Sequence, residues 1–421
     1  MTAIKSFAAL HYNPNKIDNV SDVICPPYDV ISKLEQEALY KLNPHNYVRM
    51  SLPKDSPSDN EKENRYTRAK KTYEDWIKKG ILVQDEKPSL YYYKQEYKIR
   101  GQKHTRLGFI GLLKLGDEAS SKIFPHENTH TAAKVDRLKL WSALKANESG
   151  IFVCFSDRQK KVEKIFVKEI SHQKPMIDVQ DQDRVRHILW RLDDEGLIEE
   201  ISQVLAGQQL FIADGHHRYE VAQEYRQIRL KNRTRSTGDE PFNYVMTYFT
   251  NLDSPDLQIF PIHRIIKTLP GRLDFLEENF RVDRIKNKSE LPILLARAGQ
   301  NEHAFGLYDR EGIRLLRLKN KLIIDQLIKE GSKDYRSLDA TILKALIFDH
   351  LGIASDDIMY SKDLNQTLAA VDDLQADAAF LLNPVKIKQL KVIALNGERM
   401  PPKTTYFYPK VLSGLTVYKM E

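Results

Sequence analysis

The sequence predicts a mixed α/β fold of the α+β kind, and three observations support this prediction. The chain has 421 residues, enough for about two or three domains that each bury a core. Hydrophobic residues make up 41% and charged residues 29%, as in soluble globular proteins. Short apolar runs of strand length alternate with segments in which apolar residues recur at the period of a helix.

Turn, capping and periodicity signals predict the elements of a first domain over residues 1–265. Ser32 can cap a helix, Gly80 can end one, and residues 100–103 fit a hairpin turn. From the start of the chain we expect a strand and turn over 7–14, a turn over 24–30, a helix that is capped by Ser32 and ends near 42, a polar loop over 51–64 and a helix over 65–79. Hairpin strands over 89–99 and 105–115 follow. The remaining predicted elements are helices over 132–147 and 183–192 and strands over 151–155, 209–213 and 244–252.

A smaller α+β domain is expected over residues 266–421, where helical and extended patterns continue to alternate. Its predicted elements lie at 273–280, 304–308, 313–318, 338–351 and 378–382. No repeat of solenoid period is visible.

Composition excludes several classes of protein. Only Cys25 and Cys154 are present, too few for a disulfide framework or a four-cysteine zinc site. No apolar run approaches the ~20 residues of a membrane span, and the first residues lack a signal-type apolar core, so we expect a cytoplasmic protein. The net charge of +7 suits an anionic small molecule such as a nucleotide. Nucleic acid is not the expected partner, because the basic cluster over 229–235 lacks interleaved aromatic residues.

The segment Asp214-Gly215-His216-His217-Arg218 lies between an apolar strand pattern and an amphipathic helix pattern. A helix that begins at His216 or His217 points unpaired N–H groups into the turn at Gly215, which favours an anion such as phosphate. The helix dipole contributes only about 0.3–1 kcal/mol there, so charged side chains must supply most of the binding. Arg218 matches phosphate oxygens bidentately. The alternative is a plain helix cap by Asp214 with solvated histidines.

A second segment, His126-Glu127-x-x-His130, matches the motif of zinc peptidases. In those enzymes the motif lies inside a helix, whereas Pro125 predicts that any helix here begins at the motif. Glu148 qualifies as a third ligand only by spacing. A catalytic or phosphate-binding loop with Glu127 as general base is the preferred interpretation. A polar loop that caps the next helix is the structural alternative.

A third segment, over residues 396–410, is a loop marked by Pro401, Pro402 and Pro409. Lys403 and Lys410 can reach a phosphate, and the aromatic residues between them can stack on a base. The alternative is a C-terminal segment docked by its aromatic side chains.

Together these segments resemble, over nearly the whole chain, a bacterial and archaeal family catalogued as domain of unknown function 1015. The motifs that carry the resemblance are Cys25-Pro26-Pro27-Tyr28-Asp29-Val30, Asn43-Pro44-His45-Asn46, Gly108-Phe109-Ile110-Gly111, Pro125-His126-Glu127-Asn128-Thr129-His130, Asp214-Gly215-His216-His217-Arg218-Tyr219-Glu220 and Met400-Pro401-Pro402-Lys403-Thr404-Thr405-Tyr406-Phe407-Tyr408-Pro409-Lys410. The Asp-Gly-His-His-Arg run is also similar to the nucleotide-contacting motif of the ParB and sulfiredoxin superfamily, whose archaeal free serine kinases carry it.

This second resemblance implies a ParB/sulfiredoxin-like core with insertions and a nucleotide-dependent phosphotransferase. The implied reaction is phosphorylation of the hydroxyl of free L-serine, or a similar small molecule, by ATP or ADP with Mg²⁺. It makes Asp214 a catalytic or magnesium-orienting carboxylate and the adjacent histidines and arginine phosphate ligands. Those kinases also use an upstream glutamate as base, which has no aligned counterpart here. With the residues of the other segments added, the candidate catalytic residues are Asp214, Glu127, His217 and Asp29, and the candidate nucleotide-binding residues are Gly215, His216, Arg218, His126, His130 and Lys403.

No residue is assigned to a metal site of the protein's own, and Glu127 precedes Asp29 as candidate base. No Walker loop or protein-kinase signature is present. Two alternatives stay open at this point. One is a zinc-dependent hydrolase or phosphatase built on His126, Glu127 and His130. The other is a non-catalytic nucleotide-binding regulator or a DNA partner like the ParB proteins.

Overall fold

The computed structural model describes residues 4–116, 122–129, 131–231, 233 and 235–421. The strands, numbered along the chain, are β1 Ile4–Lys5, β2 Leu10–Tyr12, β3 Leu82–Gln84, β4 Leu90–Ile99, β5 Gln102–Lys114, β6 Ile123–Phe124, β7 Ala146–Asn147, β8 Ile151–Phe155, β9 Ile177–Gln180, β10 Arg186–Leu192, β11 Leu210–Asp214, β12 Tyr244–Asn251, β13 Gln258–Phe260, β14 His263–Ile266, β15 Phe280–Ile285, β16 Ala304–Asp309, β17 Gly312–Leu318, β18 Ile358–Ser361, β19 Ala378–Leu381, β20 Tyr406–Tyr408 and β21 Tyr418–Lys419.

The α-helices are likewise numbered along the chain. They are α1 Lys33–Leu42, α2 Val48–Ser51, α3 Arg65–Lys78, α4 Thr131–Leu144, α5 Lys161–Ile170, α6 Glu195–Leu205, α7 His216–Lys231, α8 Leu276–Asn279, α9 Leu291–Ala298, α10 Leu322–Leu327, α11 Lys333–Arg336, α12 Asp339–Leu343, α13 Asp349–Leu351, α14 Leu364–Asp372 and α15 Ile387–Leu395. Among the described residues, no helix combines the length and apolar character that a membrane span requires.

The chain divides into two compact units that are not continuous in sequence. The first unit comprises Met1–Phe124, Thr129–Leu257 and Pro409–Glu421, and the second comprises Pro125–Asn128 and Gln258–Tyr408. The end of the chain therefore belongs to the first unit. The division into domains over 1–265 and 266–421 stays a prediction.

The first unit is built on a mixed sheet with the strand order β6-β11-β8-β12-β5-β4-β10-β9. Strand β11 pairs parallel with β6, and β12 pairs parallel with β8, whereas the other pairs are antiparallel. The middle strand β12 is buried along almost its whole length. Helices α4 and α7 pack against each other, and α7 also packs against β8 and β12. The predicted mixed α/β class is confirmed.

One predicted element of this unit is wrong. Residues 183–192 are not a helix, because Arg186–Leu192 forms β10, paired with β4 on one side and β9 on the other. Ile188, Leu189 and Leu192 of β10 and the preceding Val185 are all buried, at a spacing that imitates a helix face. Buried residues lie on both faces of this strand, His187 and Leu189 on one and Ile188 and Leu192 on the other, so its apolar residues need not alternate.

The second unit contains an antiparallel sheet with the order β15-β17-β16-β19-β14-β18. Alternate residues of its strands point to two apolar cores, one on each face. Ile266, Leu316 and Phe380 contribute to one core, which includes residues of α12. Ile265, Leu315 and Leu381 contribute to the other, which includes residues of α9 and α14. Arg264 directly precedes Ile265 and Ile266 on β14, which lies between β18 and β19.

Candidate active site at the start of helix α7

The turn between β11 and α7 has the structure that the sequence predicts. Leu210–Asp214 is a strand whose apolar residues are buried, and α7 begins at His216. Gly215 joins them with φ +86, a left-handed conformation that glycine adopts without strain. Val221, Ala222 and Tyr225 form the buried face of the helix, whereas Ile228 is exposed.

Asp214 lies between two cationic side chains. Its Oδ2 accepts a hydrogen bond from Nη2 of Arg218 at 2.8 Å, and its Oδ1 accepts one from Nζ of Lys410. The exposed fraction of the three side chains is 16%, 4% and 10%, respectively, so water screens these ion pairs weakly. The structure thus brings the first predicted segment and the end of the third one together.

The charges around Asp214 keep its carboxylate ionised. Burial by itself would raise the pKa of Asp214, but Lys410 and Arg218, with a smaller effect of His216, hold this pKa well below its usual range. A carboxylate with so low a pKa is a poor proton acceptor at neutral pH. Asp214 is therefore suited to orient cations and not to act as the general base.

The guanidinium of Arg218 is held in place by hydrogen bonds to other residues of the protein. Its Nη1 donates to Oγ of Ser149 at 2.8 Å and to the carbonyl of Gly150, while Nη2 holds Asp214. The guanidinium also lies against Gly215, where a Cβ atom would be 3.1 Å from three of its atoms. A direct bond from either Nη atom to a phosphate would have to compete with these contacts. Arg218 thus positions Asp214.

Lys410 reaches Asp214 because its backbone is anchored to the sheet. Gln95 on β4 donates from Nε2 to the carbonyl of Lys410 at 2.9 Å, and Arg106 on β5 donates to the carbonyl of Pro409 at 2.5 Å. Arg106 also holds Oε1 of Gln95, so the two side chains form one buried support. The segment that carries Lys410 is thereby held in place next to β11.

A second carboxylate, Glu148, directly precedes Ser149 and interacts electrostatically with Arg218. It is fully buried, and its closest cation is Nη1 of Arg137 at 3.6 Å. Among the described residues, no donor meets hydrogen-bond distance and angle at its carboxylate oxygens, although the indole N–H of Trp141 is near enough to lower the pKa slightly. Burial raises the pKa of Glu148 to about 7, against the opposing attraction of Arg137 and Arg218. Asp214 and Glu148 are thus two carboxylates whose pKa values are driven in opposite directions.

The predicted residues of the N-terminal segment lie near this cluster. Asp29 is exposed and, like Tyr28, interacts electrostatically with Arg218. The guanidinium of Arg137 is centred 4.0 Å above the ring of Tyr28. Asp29, the second candidate base, is therefore placed beside the Arg218 cluster.

The two histidines of the segment have different surroundings. His216 is buried and close enough to Asp214 to contribute to its low pKa, whereas His217 is partly exposed. Both belong to the first turn of α7, the end of a helix at which backbone N–H groups point outward along the axis. Their roles as catalytic and phosphate-binding residues stay predictions.

The predicted site residues His126, Glu127 and Lys403 lie in the second unit. Oε1 of Glu127 accepts a hydrogen bond from the backbone N–H of Lys403 at 3.0 Å, and its carbonyl accepts one from Arg399. His126 is buried, with Nε2 3.2 Å from Oγ1 of Thr405. Residues 126–128 and 400 form a short parallel bridge, so the second and third predicted segments meet here. His130 lies outside the described residues.

The bridge gives no support to a zinc-peptidase site. His126 and Glu127 are extended and precede α4, which begins at Thr131, as Pro125 predicts. A zinc motif of this kind needs its histidines on one face of a helix. Over the part of the chain that the structure describes, no three histidine, cysteine or acidic side chains form a metal-binding group.

Sequence reasoning missed two features of the cluster. Glu148 was considered only as a zinc ligand by spacing, and its burial beside Arg137 has no signal in the sequence. Lys410 was noted as a phosphate ligand, but its pairing with Asp214 joins positions 196 residues apart. The prolines around Lys410 indicated an ordered loop, which was the one available clue.

A family model described as protein of unknown function, DUF1015, matches residues 4–341. The chain belongs to this family. No curated protein matches it. This family assignment confirms the resemblance seen in the sequence motifs.

Three solved structures illustrate what this family member resembles. A conserved hypothetical protein from Pyrococcus furiosus is 12% identical, with a TM-score of 0.35 over 71% of this chain and 92% of its own. A free serine kinase in complex with AMP is 13% identical, with a TM-score of 0.35 over 68% and 83%. SbnI from Staphylococcus aureus with a C-terminal truncation is 10% identical, with a TM-score of 0.39 over 74% and 87%.

Proposed function

We propose that this DUF1015 protein is a nucleotide-dependent phosphotransferase that acts on the hydroxyl of a small molecule. The observation that supports this most directly is the ionised Asp214 at a strand-to-helix turn, held between Arg218 and Lys410. Phosphoryl transfer requires mainly that donor and acceptor are aligned and that charge on the moving group is neutralised. A fixed carboxylate that orients cations at a helix N-terminus suits that task.

In this proposal, Lys410 is the cation that contacts the nucleotide phosphates. A lysine ammonium has three donors and binds phosphate as a point charge. Asp214 orients this ammonium, and Arg218 holds Asp214 from the other side. The N–H groups of the first turn of α7, at His216 and His217, would add dipoles directed at the phosphates.

The acceptor that we propose first is free L-serine, with O-phosphoserine as the product, because the Asp-Gly-His-His-Arg sequence is similar to that of free serine kinases. Glu127 is the proposed general base and Asp29 the second choice. The low pKa of Asp214 removes that residue from this role.

Magnesium does not fit this cluster as a directly bound ion. Both oxygens of Asp214 already accept bonds from cations, and a metal ion there would face Arg218 and Lys410. Mg²⁺ commonly binds through substrate phosphates and water with few protein ligands. We therefore propose that it enters with ATP or ADP.

The experiment is a mass-spectrometric search for phosphorylated products. The full-length protein is incubated with ATP or ADP and Mg²⁺, against L-serine first and then other small alcohols. We expect a phosphorylated acceptor, and a fall of about 10²–10³-fold in rate for Asp214→Asn and for Lys410→Met, as when a fixed electrostatic contact is lost. Glu127→Gln should lower the rate while it leaves nucleotide affinity unchanged.

Asp85→Asn is the matched control. Asp85 is also buried and ion-paired, with Nη1 of Arg191 at 2.7 Å, but Arg191 lies on β10, five strands from β11 in the sheet. Its rate should equal that of the wild type. Absence of product with every pair, combined with nucleotide affinity, would favour a regulatory protein. Zinc bound in stoichiometric amount would favour the hydrolase alternative.

A further inference from the structure

The second unit contains a recess that the proposed reaction does not use. It encloses about 340 Å³ of empty space, part of which is open to solvent. Its polar wall residues are Arg264, Asp339, Asn383, Gln389 and Thr404, and apolar residues complete the lining. All of these belong to the second unit.

Arg264 is the unusual member of this wall. It lies on β14, between β18 and β19, and only 5% of it is exposed. Its guanidinium stacks on Tyr360, with the central carbon 4.7 Å from the ring centroid. Its Nη1 donates to the carbonyl of Ile262 at 2.7 Å. A cation taken this far out of water normally has an anionic partner.

No such partner is present among the described residues. No carboxylate lies within 4.0 Å of Arg264, and Glu127 interacts with it only at longer range. Burial lowers the pKa of Arg264 to about 10, more than Tyr360 and Glu127 raise it. The environment therefore disfavours the bare charge, and a bound anion would relieve this cost.

The free edge of the guanidinium has a defined shape. With Nη1 bonded to Ile262, the edge formed by Nε and Nη2 has no hydrogen-bond partner among the described residues. Two parallel N–H groups on such an edge match the two oxygens of a carboxylate or a phosphate. Gln389 is on the same wall and keeps its amide N–H₂ for a ligand, since its Oε1 accepts from the backbone of Lys386.

We propose that this recess binds the oxyanion group of a small molecule, a carboxylate or a phosphate, through the Nε and Nη2 edge of Arg264. Gln389 donates a further bond to it. Asp339, whose Oδ1 accepts from His303 at 2.8 Å, disfavours a second anion and selects a ligand with a donor group beside the oxyanion. The site is independent of the proposed phosphotransfer.

Isothermal titration calorimetry on the full-length protein tests this, with acetate, inorganic phosphate and glycine as probes. Acetate and phosphate distinguish the two oxyanions, and glycine adds an ammonium for Asp339. We expect one of the probes to bind, and Arg264→Lys to weaken it about tenfold or more, because lysine keeps the charge but loses the two-pronged edge. Gln389→Leu should weaken binding about tenfold or more, since a hydrogen bond to the charged oxyanion is lost while Arg264 is unchanged.

Arg272→Met, which removes an arginine whose side chain is 86% exposed in the same unit, is the control and should bind as the wild type does. Circular dichroism and thermal melting establish that each variant is folded before it is titrated. The proposal is overturned if no probe binds at millimolar concentration. Equal affinity of the wild type, Arg264→Lys and Gln389→Leu would overturn it as well.

Discussion

Nη2 of Arg218 lies 2.8 Å from Oδ2 of Asp214, four residues earlier in the chain and across the turn at Gly215. The same guanidinium bonds Ser149 and the carbonyl of Gly150, next to the start of β8. One buried cation therefore joins the end of β11, the first turn of α7 and the neighbouring strand. Asp214 is therefore held by an arginine whose other contacts lie outside the turn at Gly215.

Gly215→Ala should destabilise the protein more than Gly101→Ala, although both glycines have a left-handed conformation. A Cβ at Gly215 meets the guanidinium of Arg218 at 3.1 Å, whereas at Gly101, which has φ +82, it meets nothing within 4 Å. Both variants incur left-handed strain of about 1–2 kcal/mol. We expect an additional loss in the free energy of unfolding of about 1–3 kcal/mol at Gly215, from disruption of the ion pair. Urea unfolding of the two variants measures the difference, and equal losses would contradict it.

Arg218→Ala should lower the free energy of unfolding far more than Asp214→Asn. The first change removes a buried cation and leaves Asp214, Ser149 and Gly150 without their donor, at a cost of about 3–5 kcal/mol. The second is nearly isosteric and keeps an acceptor for Lys410. The burial of Arg218 thus predicts a weakened fold for Arg218→Ala. Chemical unfolding at neutral pH measures the stability of the two variants. Similar unfolding midpoints would contradict the proposed role of Arg218 in holding Asp214.

Lys410→Met should weaken the protein at neutral pH and less in acid. The pKa of Asp214 is held low in the folded state, so its ionised form stabilises the fold above the unfolded value of about 3.9, and this contribution is lost as pH falls below it. Removal of Lys410 raises that pKa and should cost about 1–3 kcal/mol at pH 7. Lys419→Met, at an exposed position, is the control.

Unfolding curves of wild type and Lys410→Met at about pH 7, 5 and 3 check the sign of this linkage. The gap between the two proteins should narrow toward pH 3. A gap that stayed constant with pH would mean that Lys410 stabilises the fold through packing and not through the charge of Asp214.

Local signals predicted the elements whose ends carry capping residues. Ser32 forms a capping box with Glu35, and the hairpin turn at Arg100 and Gly101 has both residues at positive φ. The turn at Gly215 was predicted equally well, because strand, glycine and helix follow one another in sequence. Such features depend on contacts over a few residues, which a sequence displays directly.

Features that depend on distant contacts were not predictable in this way. Residues 186–192 are a strand because they pair with β4 and β9, partners that a local pattern does not display, and helices α5 and α6 were not predicted. In the site, Asp214 and Arg218 are close in sequence. Lys410 is distant in sequence, and Gln95 and Arg106 hold the backbone that carries it. Nothing in the sequence indicates which lysine the sheet brings to Asp214.

Glu148→Gln should make the protein more stable at alkaline pH. Because the folded pKa of Glu148 is about 7 and that of an unfolded glutamate is about 4.3, the folded state retains a proton that the unfolded state has released. The free energy of unfolding therefore falls as pH rises between these two values and is level above them. The accumulated loss is on the order of 3 kcal/mol. Glutamine does not titrate, so the free energy of unfolding of the variant should not fall in this way as pH rises.

The measurement is the difference in unfolding free energy between Glu148→Gln and the wild type at about pH 5 and pH 8. Other titrating groups cancel in this difference as long as the substitution leaves their surroundings unchanged. It should be small at pH 5 and should favour the variant by up to about 3 kcal/mol at pH 8. Glu74→Gln, which removes a carboxylate that is 62% exposed, should show no such change. A variant that is less stable than the wild type at pH 8 would mean that the ion pair with Arg137 outweighs the cost of burying the charge.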